Sequence, residues 1–296
     1  MSARASVEHR RAAVLGCPIT HSLSPELHRA AHAALGLTGW SYDRFEVDET
    51  ALPGFVAGLG REWAGLSLTM PLKRAVIPLL DRVGESAVAV EAVNTLVFDP
   101  DAGRIGENTD VPGLVAALAE RGVHRVPTAA VLGGGATAAS TLAALASICE
   151  GEVVAHVRGA HRVAEMLALG ERLGVRVRPE PWERAADSLH LPLVVSTTPA
   201  GACDALADVV PAAPGTLFDV LYEPWPTRLA AAWDRRGGTV LGGLDLLVHQ
   251  AVLQVELMTG RVPGPLAAMR EAGERALAAR GDGGSLGPPS GPVVRA

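Results

Sequence analysis

The chain has 296 residues, about twice the ~150 of a typical domain, so two domains are expected. Hydrophobic residues at 48% against 20% charged exclude a disordered or fibrous chain. A net charge of −6 excludes the broad basic face of a nucleic-acid binder.

The opening residues carry no apolar run of signal-peptide length, so no secretory signal is expected. Three scattered cysteines, Cys17, Cys149 and Cys203, form no CxxC pair and point to a reducing cytoplasm. Residues 12–16 read as a first strand. A helix over 25–35 follows, with Ser24 as its N-cap and Pro25 at the first helical position. On it, His28 and His32 have metal-ligand spacing, but HExxH is absent, so the pair reads as a solvated helix face and no metal is expected. Strands follow at 42–47 and 63–68, and a helix opens at Pro71 with Lys73 in its first turn. Strands near 93–98 and 104–107 flank a turn, and a helix runs over 112–121 to Gly122.

From residue 128 the pattern becomes regular β-α-β alternation. Apolar strands are expected at 128–132, 152–157, 174–178, 192–197, 216–220 and 239–241, with helices between most of them. That reads as a parallel, doubly wound sheet covered on both faces. The stretch 126–149 carries no charge and is long enough on paper to cross a bilayer. Pro127 and three consecutive glycines make it a strand, a turn and a helix instead, so no membrane is expected. Two more helices are expected at 244–258 and 265–279, and the Gly/Pro/Ser-rich 281–296 reads as a disordered tail.

Residue scarcity points to chemistry. Of 26 basic residues only Lys73 is lysine, and the chain's two asparagines are Asn94 and Asn108. Lys can give up a proton where Arg cannot, so a solitary Lys in an arginine-rich chain is a candidate catalytic group. Four polar clusters hold these residues: 21–25, 67–73, 92–95 and 108–110. Each follows an expected strand, where open α/β sheets bind ligands. Their hydroxyls, amides, ammonium and carboxylate suit a small polyhydroxylated acid.

The second half carries a dinucleotide signature. A strand runs into Gly133, Gly134, Gly135, Ala136, Thr137 and Ala138, then a helix, which is G-x-G-x-x-A in its proper context. Gly133 permits the turn, Gly135 admits a pyrophosphate, and Ala138 allows close helix packing. After the next strand no acid is available for a ribose 2′-hydroxyl. Arg158 and Arg162 stand there instead, which suits a 2′-phosphate and favours NADP.

Seven motifs in order resemble the shikimate dehydrogenase family, in its actinobacterial form. They are 16–25, 69–73, 94–95, 106–110, 196–201, 219–224 and 243–250. The resemblance implies an N-terminal α/β substrate-binding domain, 1–112, completed by returning C-terminal helices, 244–280. It implies a Rossmann-like NADP domain at 113–243. The implied activity is reversible NADP-dependent reduction of 3-dehydroshikimate to shikimate. Lys73 and Asp110 are then the catalytic pair. Ser22, Ser24 and Tyr222 hold the substrate carboxylate; Thr69, Asn94, Asp110 and Gln250 hold ring oxygens. Gly133, Gly134, Gly135, Ala136, Thr137, Arg158, Arg162, Val220 and Gly243 contact NADP(H). A monomer or homodimer is expected. A quinate or amino-shikimate dehydrogenase, or a non-catalytic NADP-binding regulator, are the alternative readings. The chain departs from the family pattern at Ser67, Gly159, Ala202 and Asp245.

Overall fold

The computed structural model describes residues 9–281 and 294–295. The chain divides into two compact units: the first runs to Thr109 and resumes at Ala251, and the second is Asp110–Gln250.

The first unit is built from β1 (Arg10–Gly16), α1 (Ser24–Ala34), β2 (Trp40–Glu46), α2 (Leu52–Ala57), β3 (Trp63–Leu68), α3 (Leu72–Ala75), β4 (Arg82–Val83), α4 (Glu85–Val90), β5 (Thr95–Asp99) and β6 (Gly103–Glu107). Late in the chain it gains α10 (Leu266–Gly281) and β13 (Val294–Arg295). Its sheet has the order β13-β2-β1-β3-β5-β6-β4. β1 lies parallel to both β2 and β3, while β5 pairs antiparallel with β3 and β6. β1 is central and covered, which is why Ala12, Ala13, Val14 and Leu15 form an unbroken apolar run. Below the sheet, Leu52, Phe45, Trp63, Leu72 and Leu96 form one core cluster. Leu23 at the N-cap of α1, and Leu27 and Ala31 on it, recur every four residues and are fully buried. Burying each leucine side chain stabilises the fold by about 1.5–3 kcal/mol.

The second unit holds α5 (Asp110–Glu120), β7 (Ala129–Leu132), α6 (Ala136–Ile148), β8 (Glu152–Val157), α7 (Ala160–Leu173), β9 (Arg176–Pro181), β10 (Leu193–Ser196), β11 (Thr216–Asp219), α8 (Arg228–Arg235) and β12 (Thr239–Leu241). α9 (Gly243–Thr259) starts in it and continues into the first unit. The six strands have the order β12-β11-β10-β7-β8-β9 and every pairing is parallel. This is the doubly wound arrangement, with the order reversing at β7. Ala130, Leu132, Val194, Leu217 and Trp233 pack one of its faces.

Four local expectations change. Ser24 does not cap α1: it lies inside the first turn, and the hydroxyl of Ser22 accepts its N–H at 3.3 Å. Asp110 is the first residue of α5 rather than a residue ahead of it. The β9–β10 and β10–β11 connections carry 3-10 turns, Trp182–Ser188 and Asp204–Val209, in place of α-helices. Within the expected tail, Val294–Arg295 pairs parallel with β2, and 282–293 lie outside the described residues.

Candidate functional site

In the first unit, backbone hydrogen bonds join two of the polar clusters, 67–73 and 92–95, and tie the former to the end of β1. The Thr69 N–H donates to the Leu15 carbonyl, and the Cys17 N–H to that of Met70. The Leu68 N–H donates to the Asn94 carbonyl at 2.7 Å, and the Val93 N–H to the Lys73 carbonyl at 2.8 Å. Gly16 makes this approach possible, since a Cβ there would lie 2.4 Å from Thr69 Cγ2 and 2.9 Å from the Met70 carbonyl. Thr69, Lys73 and Asn94 thus share one end of the sheet. Thr69 and Lys73 are half-buried, while Asn94 is buried.

Behind Asn94 runs a buried hydrogen-bond chain with a defined direction. The Tyr42 hydroxyl donates to Ser67 Oγ at 2.6 Å, and Ser67 donates to Gln254 Oε1 at 2.7 Å. Gln254 Nε2 donates to Thr95 Oγ1 at 2.9 Å and to the Asn94 carbonyl at 3.2 Å. Thr95 Oγ1 donates in turn to Asn94 Oδ1 at 2.8 Å. Asn94 Oδ1 also accepts the Thr109 N–H at 2.8 Å, and Asn94 Nδ2 donates to Thr109 Oγ1 at 3.0 Å. The Asn94 amide is therefore oriented from two sides. Asn108 is spent structurally, its Nδ2 donating to the Ala92 carbonyl.

His28 and His32 are not a solvated face: both are buried. His28 stacks on Tyr42, centroids 3.9 Å apart, and its Nε2 contacts Gln254 Oε1 at 3.3 Å. Because that oxygen only accepts, His28 carries its proton on Nε2. Burial lowers the His28 pKa to about 3 and that of His32 to about 4, with the neighbouring His32 adding to the effect on His28. Neither Nδ1 has a hydrogen-bond partner among the described residues, so a second proton would gain no acceptor there. Burial also pushes the Tyr42 phenol up, against hydrogen bonds to Ser67 and Ser24. Sequence reasoning missed Gln254, Tyr42 and Thr95. Their partners lie up to 226 residues away, and the available signal was scarcity: Gln254 is one of two glutamines and Tyr42 one of two tyrosines.

In the second unit, the turn after β7 has the required geometry. Gly133 has φ +119°, and a Cβ on it would meet Thr197 Oγ1 at 2.4 Å. Gly135 caps α6 with backbone alone, and open space lies where its Cβ would stand. Gly135 and Ala136 are exposed, so the first N–H groups of α6 face an accessible edge. Arg158 and Arg162 both follow β8 and are exposed. Arg162 pairs with Glu165, and the Arg158 guanidinium lies 5.0 Å from the centre of the Trp182 ring. Gly159 has φ +78°, a backbone state that favours glycine.

Gly243 touches the backbone that follows β11: its N–H donates to Leu221, and a Cβ would lie 2.1 Å from the Val220 carbonyl. Asp219, buried at the end of β11, accepts Thr227 Oγ1 at 2.8 Å and the Leu221 N–H at 3.3 Å. Burial raises its carboxyl pKa despite these bonds. Thr227 in turn caps α8, so the segment bearing half-buried Tyr222 is pinned at both ends. Gln250 Nε2 folds back onto the Leu247 carbonyl at 2.8 Å. Asp245 accepts the Gly242 N–H at 3.0 Å, which accounts for an acid at the start of α9. The structure offers no reason for Ala202.

Among the described residues, no helix is long and apolar enough to cross a membrane, and no group of three or more His, Cys, Asp or Glu could hold a metal ion.

Two family models match the chain: shikimate dehydrogenase substrate binding domain over 14–96, and shikimate 5′-dehydrogenase C-terminal domain over 243–272. A shikimate dehydrogenase (NADP(+)) of Thermus thermophilus is 38% identical, across 90% of this chain and 98% of that one. The crystal structure of Mycobacterium tuberculosis shikimate dehydrogenase is 40% identical with a TM-score of 0.83, covering 90% of this chain and 99% of that one. A Thermus thermophilus shikimate 5-dehydrogenase, solved in complex with NADP(H) and shikimate, is 36% identical with a TM-score of 0.78, over 90% and 99%. With the doubly wound sheet, the glycine turn and the lysine-bearing loop all in place, the chain belongs to the shikimate dehydrogenase family.

Proposed function

We propose that this protein catalyses the reversible NADP-dependent reduction of 3-dehydroshikimate to shikimate. The observation that carries the reading is the joined lysine and asparagine loops, with an oriented amide beside the chain's only lysine. That set matches an oxygen-rich ring with one carbonyl to reduce.

The second unit fits NADP(H). Open space over Gly135, exposed α6 N–H groups and no side-chain cap suit a pyrophosphate. Arginine where an NAD site would place an acid suits a 2′-phosphate. Gly133, Gly134, Gly135, Ala136 and Thr137 would hold the pyrophosphate, Arg158 and Arg162 the adenosine phosphate, and Val220 and Gly243 the nicotinamide end. When bound, the cofactor supplies or accepts the hydride. The chain's own residues do the rest. Lys73 Nζ gives a proton to the carbonyl oxygen and stabilises the charge that grows on it. Asp110 holds the ammonium and a ring hydroxyl. Ser22, Ser24 and Tyr222 hold the carboxylate, and Thr69, Asn94 and Gln250 fix the ring.

The substrate-binding part is 1–112 with 244–280, and the NADP part is 113–243. We place the enzyme in the cytoplasm, as monomer or homodimer; three unpaired thiols accord with a reducing compartment. Mixing protein, NADPH and 3-dehydroshikimate should consume NADPH and yield shikimate, with quinate and amino-shikimate counterparts turned over more slowly. No consumption, or faster turnover of either counterpart, would reject the assignment.

A further inference from the structure

We propose that Trp182 is an aromatic platform that holds the Arg158 guanidinium flat and sharpens discrimination for a 2′-phosphorylated adenosine. The inference rests on the reading of Arg158 as the 2′-phosphate contact. Register places the two residues together, since Val157 at the end of β8 pairs with Pro181 at the end of β9. Arg158 and Trp182 are the next residues of those two strands. Both line a cavity of about 480 Å³, together with Val163, Pro179, Pro181 and Glu183.

Trp182 is anchored on one side, where it packs against the cluster containing Ala185, Leu189 and Trp233. Over its ring lies Arg158, at 5.0 Å. A guanidinium stacked by its face keeps its five N–H groups pointing outward in the plane. Face to indole and edge to phosphate are therefore compatible, and one prepares the other. The surrounding charges leave Arg158 available. Glu180 is engaged by Arg178 and Arg184, Arg162 by Glu165, and Arg158 has no ion pair among the described residues. An exposed Arg otherwise spends rotamer entropy when it grips a phosphate, and the platform removes part of that cost.

Calorimetric binding of adenosine 2′,5′-bisphosphate and adenosine 5′-phosphate to the full chain tests this without turnover. Trp182→Leu keeps an apolar side chain on the core but removes the ring. It should weaken the bisphosphate about 2- to 5-fold, the worth of an exposed cation–π contact, and leave the 5′-phosphate unchanged. In an Arg158→Ala background the same substitution should change neither ligand. Trp182→Phe keeps a ring and should lose less, with the same selectivity; it decides the matter if the Leu variant fails to fold. Equal effects on both ligands, no effect, or an undiminished effect without Arg158 would overturn the platform. If Arg158→Ala itself weakens both ligands equally, the phosphate role of Arg158 falls and the platform with it. If Arg158→Ala is selective and the Trp182 variants are not, the platform alone falls.

Discussion

The two units prepare for ligand in opposite ways. In the first, Asn94 is buried and sits at the end of a chain of side chains, each committed to the next. In the second, the ligand-facing parts are a glycine turn, backbone N–H groups and exposed arginines. A ring with several hydroxyls needs donors and acceptors fixed in angle, and buried side chains supply that. A pyrophosphate needs a concave backbone and positive charge, which glycines and a helix start supply. The first design is costly to alter, because each lost partner strands another group. The second separates binding from stability.

Lys73 gives the largest expected effect. Lys73→Ala should lower kcat by about 10²–10⁴, the range of general acid–base groups, with little change in melting temperature. Lys73→Arg should fail similarly, since Arg keeps charge but does not release the proton. An amine-directed reagent under conditions that spare the N-terminus should inactivate at one label per chain, and shikimate should protect. An active Lys73→Arg enzyme would remove Lys73 from the chemistry.

Gln254→Leu tests the first unit's design from behind the site. It strips the Ser67 hydroxyl and the His28 Nε2–H of their shared acceptor, at about 1–3 kcal/mol for each group left unsatisfied, and takes one donor each from Thr95 and the Asn94 carbonyl. Melting temperature should fall and the KM for shikimate should rise as Asn94 loses its orientation. Affinity for NADP(H) should not move. A lowered melting temperature with an unchanged shikimate KM would show that the network only holds the fold.

The buried histidines set a smaller, pH-dependent effect. Unfolded, both protonate near 6.5, whereas folded His32 and His28 wait until about 4 and 3. The unfolded state therefore binds more protons below 6.5, and stability is lost as pH falls through that window. The loss is up to about 1.4 kcal/mol per pH unit for each histidine, levelling near 4 and then 3. Asp219 and Glu107, raised by burial, act in the opposite sense over the carboxylate range. Urea midpoints at pH 7 and pH 5 should differ clearly for the native chain and less for the His28→Leu, His32→Leu double variant. Equal slopes would mean that the pair is neutral in its effect.

What could be read in advance follows the same division. β7, β8, β10 and β11 were legible because strands buried on both faces read as apolar runs, and the glycine turn because its chemistry is local; edge strand β9, with no buried residue, lies at 176–181 instead of 174–178. Lys73 and Asn94 stood out through rarity. Missed were α2, α4 and β4, too short to show a period. His28 and His32 were misread because α10, some 240 residues later, packs against α1, and Tyr42 covers His28. The contact between Trp182 and Arg158 was invisible because it is made across neighbouring strands.

The direction of the Tyr42–Ser67–Gln254 chain also constrains inheritance. A serine hydroxyl has one hydrogen to give, and Ser67 gives it to Gln254 while receiving that of Tyr42. An asparagine at 67 would bring an amide of greater reach and two hydrogens into a space where one acceptor waits. Tyr42, Ser67 and Gln254 are thus a single heritable solution. Changing any one of the three alone leaves a buried polar group over, so their identities are coupled.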